Sequence, residues 1–330
     1  MKRALVTGGA GFIGSNLTKA LCEQGWQVDV VDDMSNGYLS LLAPLNLKVF
    51  LPGLVDVYEK NKVRLQDDVY VFECDFADAE ILHRLADKKY DVVFHQAAVP
   101  RVSYSVEHPV ETTDVNLLRS VALLHACVNN VDKVVVASSS SVYGGADILP
   151  TTEAETRSPK SPYALQKSVL EDYCRLFGNL YDLDTVCLRY FNVFGPGQYG
   201  DSPYSTAVSA WCDAIKNEKS LRSDGDGTQS RDMCYVDNVV SANILAAENA
   251  NRLMGKAYNI CCGDRTTNKE ILAHLTGKFP HAEVLNADWR PGDVMHTQGD
   301  WSAANNDFGY KPTVKFWEGL EKTLAWWELS

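Results

Sequence analysis

Short apolar runs alternate with stretches of helical periodicity through the first half of the chain. Runs rich in β-branched residues cover Arg3–Thr7, Gln27–Val31, either Lys48–Phe50 or Val69–Glu73, Val92–Gln96, Lys133–Ser138 and Thr185–Tyr190. Between several of them Ser15–Gln24, Ala79–Ala86, Val115–Asn129 and Tyr163–Asn179 read as helices. Continuously apolar strands alternating with helices predict a parallel sheet covered on both faces, its connections right-handed. The expected class is α/β, a doubly wound sheet. Leu39–Asp68 breaks the rhythm and reads as a surface insertion. After Gly195 the texture changes to the turn-rich GPGQYGDSP and SDGDGTQSRD, then to short mixed elements. These predict a smaller lobe on the carboxyl edge of the sheet, where such folds bind ligands.

The first strand runs into Thr7-Gly8-Gly9-Ala10-Gly11-Phe12-Ile13-Gly14, and a helix follows. Glycines at 8, 11 and 14 allow a tight turn, close approach of backbone amides to a pyrophosphate, and close helix–strand packing. The second strand ends in VDVVDD, which places Asp32 where a carboxylate accepts from a ribose 2′-hydroxyl and repels a 2′-phosphate. Met34, Ser35 and Asn36 follow it with no arginine, so NAD is favoured over NADP. Asp75-Phe76, after VYVFEC, is a candidate for holding and covering an adenine; a plain turn acid is its competing reading.

Charge and cysteines remove other classes. The net charge of −12 argues against nucleic acid or an anionic membrane as partner. Nine scattered cysteines without a CxxC or zinc-like spacing read as reduced thiols of a cytoplasmic protein, with no metal site. The amino-terminal MKRALVTGGAGFIG runs into a glycine loop and not a long apolar segment, so neither a signal peptide nor a membrane span is expected.

Two features carry candidate chemistry. The apolar Val134-Val135-Val136 ends in Ala137 and four hydroxyls, Ser138 to Ser141. Serine does not favour strands, and a buried hydroxyl needs a partner. Downstream, Tyr163 and Lys167 in SPYALQK lie four apart, on one helix face. Free tyrosine has a pKa of about 10, and a neighbouring ammonium favours its phenolate, which makes a base near neutrality. A surface pair is the competing reading, and the glycine loop in the same chain weighs against it.

TGGAGFIG, HQAA (His95–Ala98), SSSSVYG, YALQK, LRYFNVFGPGQ, SRDMCYVDN and RPGDV occur in the order of the extended short-chain dehydrogenase/reductases. The chain resembles their nucleotide-sugar 4-epimerases, above all those acting on UDP-N-acetylhexosamines and UDP-glucose. The resemblance implies a Rossmann domain over 1–190, which binds NAD, and a nucleotide-sugar lobe over 191–330 with some segments returning to the first. It implies Ser139, Tyr163 and Lys167 as the catalytic set, with Ser138 satisfying the strand end. Gly8, Gly11, Phe12, Ile13, Gly14, Asp32, Asp75, Phe76, Ala97 and Asn116 would serve the cofactor, together with Tyr163 and Lys167. Asn116 would do so by supporting the active-site strand. Arg101, Ser139, Ser140, Asn192, Arg231, Arg290, Asp293 and Thr297 would serve a UDP-sugar, Asn192 and Arg231 at its diphosphate. The resemblance also implies a homodimer paired through two helices per subunit, which here would be Val115–Asn129 and Tyr163–Asn179 and would bury Leu117, Leu118 and Leu170 or their neighbours.

The shared first step would be oxidation at C4. Related 4,6-dehydratases carry Asp-Glu before the VYG element, and uronic acid decarboxylases carry a Glu there; this chain has Ser140 and Ser141. A hydroxyl is a poor substitute for a carboxylate in proton shuttling. That favours epimerisation, in which the 4-keto sugar turns over and the hydride returns to the opposite face. In the family a small residue at the place of Thr297 admits an N-acetyl group, so the resemblance there suits UDP-GlcNAc/UDP-GalNAc and also allows UDP-glucose/UDP-galactose. Arg101 departs from the small residue expected at its place and keeps a UDP-glucuronate 4-epimerase open. Dehydration with unfamiliar groups and a non-catalytic NAD-binding scaffold are the remaining alternatives.

Overall fold

In the computed structural model the chain is described over residues 1–54, 64–100, 102–200, 206–289 and 294–329. Two compact units emerge. The first comprises Met1–Ser138, Ser161–Leu188 and Val240–Ala257; the second comprises Ser139–Lys160, Arg189–Val239 and Tyr258–Ser330.

The first unit is built on strands β1 (Arg3–Thr7), β2 (Gln27–Asp32), β3 (Asn46–Phe50), β4 (Asp68–Glu73), β5 (Val92–His95), β6 (Lys133–Ser139) and β7 (Thr185–Tyr190), the last two ending in residues of the second unit. Their order is β7-β6-β5-β1-β2-β4-β3, with the strand Lys256–Ile260 outside β7. β1 pairs in parallel with β2 and β5, β2 with β4, β4 with β3, and β5 with β6. The order reverses at β1, which makes the carboxyl ends of β1 and β5 the switch point of a doubly wound, Rossmann-type sheet. Branched and aromatic side chains dictate this: Leu5, Val31, Tyr70, Phe72, Val93, Val134 and Val136 are all buried in one core.

Lys48–Phe50 and Val69–Glu73 were alternatives in the sequence, yet both lie in strands, β3 and β4, which pair with each other, Val49 opposite Val71. The expected insertion therefore contains an edge strand, whose Asn46 and Lys48 interrupt its apolar run. The first helix starts at Phe12, three residues before the apolar periodicity does, because Gly11 is already its N-cap. Val115–Asn129 is not one α-helix: Asp114–Arg119 is π-helical and Ser120–Cys127 is α-helical. Leu170, expected in a dimer face, is instead inside the core of the first unit. Leu117 packs against that core, and Leu118 is exposed.

The second unit holds short strand pairs and helices. Ser230–Arg231 pairs antiparallel with Thr266–Thr267, and Val284–Ala287 pairs in parallel with Leu221–Asp224. A complete capping box starts the helix Asn268–Lys278, where Thr267 and Glu270 satisfy each other's backbone amides. Val142, Tyr143, Phe191 and Cys261 form a small core.

Candidate active site

At the end of β1 the chain must turn without side chains. Gly8 has φ +66°, and a Cβ there would stand 2.8 Å from the Ala97 Cα. A Cβ on Gly14 would strike the Gly8 carbonyl oxygen. Gly11 caps the helix Phe12–Glu23 with no side chain, so the first-turn amides of Phe12, Ile13 and Gly14 meet no capping group from it. The Asp32 carboxylate, at the end of β2, accepts from the backbone of Ala10 at 2.9 Å and Met34 at 3.0 Å. Burial pushes its pKa up, and the amides of Met34, Ala10 and Gly11 oppose the shift. Helix amides, a side-chain-free turn and an acid at the next strand end fit a dinucleotide's pyrophosphate and ribose.

The turn after β5 is tied to this loop. Gln96 donates its backbone N–H to the Thr7 carbonyl, and Ala97 donates to Thr7 Oγ1 at 3.1 Å. His95 bridges Thr7 Oγ1 and Ser120 Oγ, each at 2.8 Å. Burial, then the charge of Lys167, push its pKa down to about 3, so the imidazole is neutral. Asp75 is held by Arg119 at 2.5 Å and by the Ala77 amide at 2.7 Å. Phe76 does not stand open: it is core, its ring edge-on to His95 at 4.9 Å. Asn116, in the π-helical segment, accepts from Val99 N at 2.7 Å and donates to Val99 O and Gln166 Oε1. Both amide hydrogens of Asn116 are thus committed within the protein.

Tyr163 and Lys167 lie in the first turns of the helix Pro162–Tyr181. Ser161 caps it through Ala164 N, Pro162 fills the first position, and Ser105 Oγ accepts from Tyr163 N at 3.0 Å. Lys167 Nζ donates to Ala137 O at 2.8 Å and stands 5.9 Å from the Tyr163 ring centroid. Burial pushes its pKa down to about 8, with Cys187, Cys174 and Glu171 opposing. Ser138 donates to Glu171 at 2.6 Å, which satisfies the strand end as expected from the sequence.

The second unit carries the remaining serines. Ser139 Oγ accepts from Ser141 N at 3.2 Å and starts the single turn Ser140–Tyr143, closed by Gly144. Ser141 Oγ is buried and makes no hydrogen bond within the protein. Tyr143 anchors the turn: its hydroxyl donates to Asn259 Oδ1 and accepts from Arg189 Nη1, both at 2.7 Å. Asn192, at φ +31°, donates to Asp232 O and to Thr297 Oγ1, both at 3.1 Å. Thr297 Oγ1 also accepts from Asp232 N, so its hydroxyl is part of a local tie. Arg231 donates to the carbonyls of Ser230 and Met295. Asp232, fully buried, accepts from the amides of Cys262, Gly263 and Gly299, and burial pushes its pKa up to about 7. Arg101, Arg290 and Asp293 lie outside the described residues.

Sequence reasoning missed Gln166, Glu171, Asn259 and Asp232. Gln166 and Asp232 sit inside quoted motifs, and Glu171 and Asn259 are polar residues buried in the helix Pro162–Tyr181 and the strand Lys256–Ile260. Among the described residues no group of three His, Cys, Asp or Glu is arranged to hold a metal, and no helix is long and apolar enough to cross a membrane.

Residues 4–261 match the NAD dependent epimerase/dehydratase family. The UDP-glucose 4-epimerase of Mycolicibacterium smegmatis is 33% identical over 328 residues, 98% of this chain and 97% of that protein. Among solved structures, the UDP-N-acetylglucosamine 4-epimerase of Methanobrevibacter ruminantium, in complex with UDP-N-acetylmuramic acid, superposes with a TM-score of 0.87. It is 35% identical, and the match covers 99% of this chain and 98% of that one. The dTDP-glucose 4,6-dehydratase DesIV of Streptomyces venezuelae, with NAD bound, gives 0.83 at 27% identity, over 99% and 97% of the two chains.

Proposed function

The chain belongs to the NAD dependent epimerase/dehydratase family, whose cofactor is NAD, and from that premise we propose that it inverts C4 of a UDP-sugar through a 4-keto intermediate. The observation that carries this is the Tyr163–Lys167 pair, with a buried ammonium hydrogen-bonded at the end of β6 and 5.9 Å from the phenol ring. Such an ammonium favours phenolate, and Tyr163 as phenolate takes the proton of the sugar 4-hydroxyl. Bound NAD+ supplies the acceptor of the C4 hydride and afterwards its donor. Ser139 hydrogen-bonds the reacting oxygen, and Tyr163 returns the proton after the sugar has presented its other face.

The loop Gly8–Gly14 holds the pyrophosphate, Asp32 the ribose, and Asp75 the adenine, its carboxylate pinned by Arg119. Arg231 neutralises the substrate diphosphate, and Asn192, tied to Asp232 and Thr297, shapes the turn beside it. Ser140 and Ser141 favour epimerisation over dehydration, since neither hydroxyl moves protons as a carboxylate does. UDP-GlcNAc and UDP-glucose are the preferred substrates, in keeping with the 4-epimerases that this chain is similar to.

The test incubates the purified protein with UDP-GlcNAc, UDP-glucose and UDP-glucuronate and follows the anomeric signals by proton NMR. Appearance of the C4 epimer of either neutral sugar is the expected result. Conversion of UDP-glucuronate alone reassigns the substrate, formation of a 4-keto-6-deoxy sugar reassigns the reaction, and inertness toward all three overturns the reading.

A further inference from the structure

Gln166 is one residue before Lys167 and three after Tyr163, and it is buried. Its side chain makes three hydrogen bonds, all to the segment that passes from α- to π-helix. Nε2 donates to Thr112 Oγ1 and Thr113 Oγ1, each at 3.0 Å, and Oε1 accepts from Asn116 Nδ2 at 2.8 Å. The direction of each bond follows from its neighbours. The Thr112 hydroxyl hydrogen goes to the carbonyl of His108 and the Thr113 hydrogen to that of Pro109, so both oxygens face Gln166 as acceptors.

The same logic continues beyond Asn116. Ser120 Oγ donates to Asn116 O, so it accepts from His95 Nε2–H; His95 Nδ1 then accepts from Thr7, whose oxygen takes the Ala97 amide. One chain of bonds, with one proton assignment, connects the end of β1 to the helix that carries Tyr163 and Lys167. The π-helical turn is what brings Asn116 to face both Val99 and Gln166, and such turns recur at functional sites.

We propose that Gln166 is a positioning residue: it docks the first turns of the helix Pro162–Tyr181 on the π-helical segment and thereby sets the direction of the Tyr163 phenol. This rests on Tyr163 being the base. A lone helical serine or alanine at 166 reaches none of the three partners, whereas the glutamine amide offers both donors and the acceptor at once. Glutamate has the same length but no donor, and it would face two hydroxyl oxygens whose hydrogens are already placed. Methionine keeps the volume and removes all three bonds.

The experiment compares Gln166→Glu and Gln166→Met with wild type in the full chain with NAD bound. The expected kcat falls about tenfold to a hundredfold, while KM for the UDP-sugar and NAD content stay within about twofold. The Tyr163 phenol, titrated by ultraviolet difference against Tyr163→Phe, should have its midpoint displaced to higher pH in both variants. Thr113→Val, which removes one acceptor at an exposed site, should give a smaller displacement of the same sign and covers poor folding of the other two. An unmoved phenol midpoint overturns the proposal, whether kcat is kept or falls with NAD content. Full turnover in Tyr163→Phe instead would sink the assignment of the base itself.

Discussion

The Nζ of Lys167 donates to the carbonyl oxygen of Ala137 at 2.8 Å, which fixes a buried ammonium at the end of β6. Few cations sit this deep without a carboxylate bonded to them, and burial pushes the group down to about 8. The charged form is therefore costly to fold, and its placement beside a phenol is the physical return.

That cost gives a pH dependence. In the unfolded chain Lys167 titrates near its ordinary 10.5, and in the folded one at about 8. Below the lower value both states carry the proton and the full penalty is present. Between the two the unfolded chain binds more protons, so folding stability contributed by this group rises with pH, by about 3 kcal/mol in all. Urea unfolding of wild type and Lys167→Met across this window should show the rise in wild type only; equal slopes would remove the buried charge from the account.

Tyr163→Phe should lower kcat at least about a hundredfold while the protein keeps its NAD. Cofactor released by denaturation, quantified per chain, checks the second half. Wild-type turnover would take the proton transfer away from this residue.

Gly8→Ala should weaken NAD binding by about tenfold or more. The residue sits at φ +66°, and its new Cβ would press on the Ala97 backbone at 2.8 Å, which cannot yield as a side-chain tip can. Dissociation constants of stripped protein measured by calorimetry give the answer, and an unchanged value would free the loop from the cofactor.

Asp29→Ala should destabilise the first unit by about 3–5 kcal/mol. Its carboxylate pairs with Arg64 at 2.6 Å and Arg84 at 3.3 Å and accepts from Tyr90 at 2.8 Å, all in a water-poor pocket. Removing it leaves two buried cations without their shared anion. Denaturant midpoints at unchanged slope measure the loss; a change under about 1 kcal/mol would mean the pair behaves as if exposed.

The amino-acid order by itself determined what depends on neighbours in the chain. Continuous apolar runs gave the strands, glycine spacing gave the loop at Gly8, and a four-residue interval put Tyr163 and Lys167 on one helix face. Partner choice was not written locally. Ser138 is joined to Glu171 across 33 residues and Gln166 to Thr112 across 54, and nothing in either local sequence names the other. The apolar pattern offered Lys48–Phe50 and Val69–Glu73 as alternatives, and only their pairing made both of them strands. The π-helical turn at Asn116 was not legible either, because one extra residue per turn leaves no compositional trace. Backbone conformation follows short-range sterics, which a sequence carries; burial and the pairing of polar groups follow long-range packing, and only the folded chain decided them.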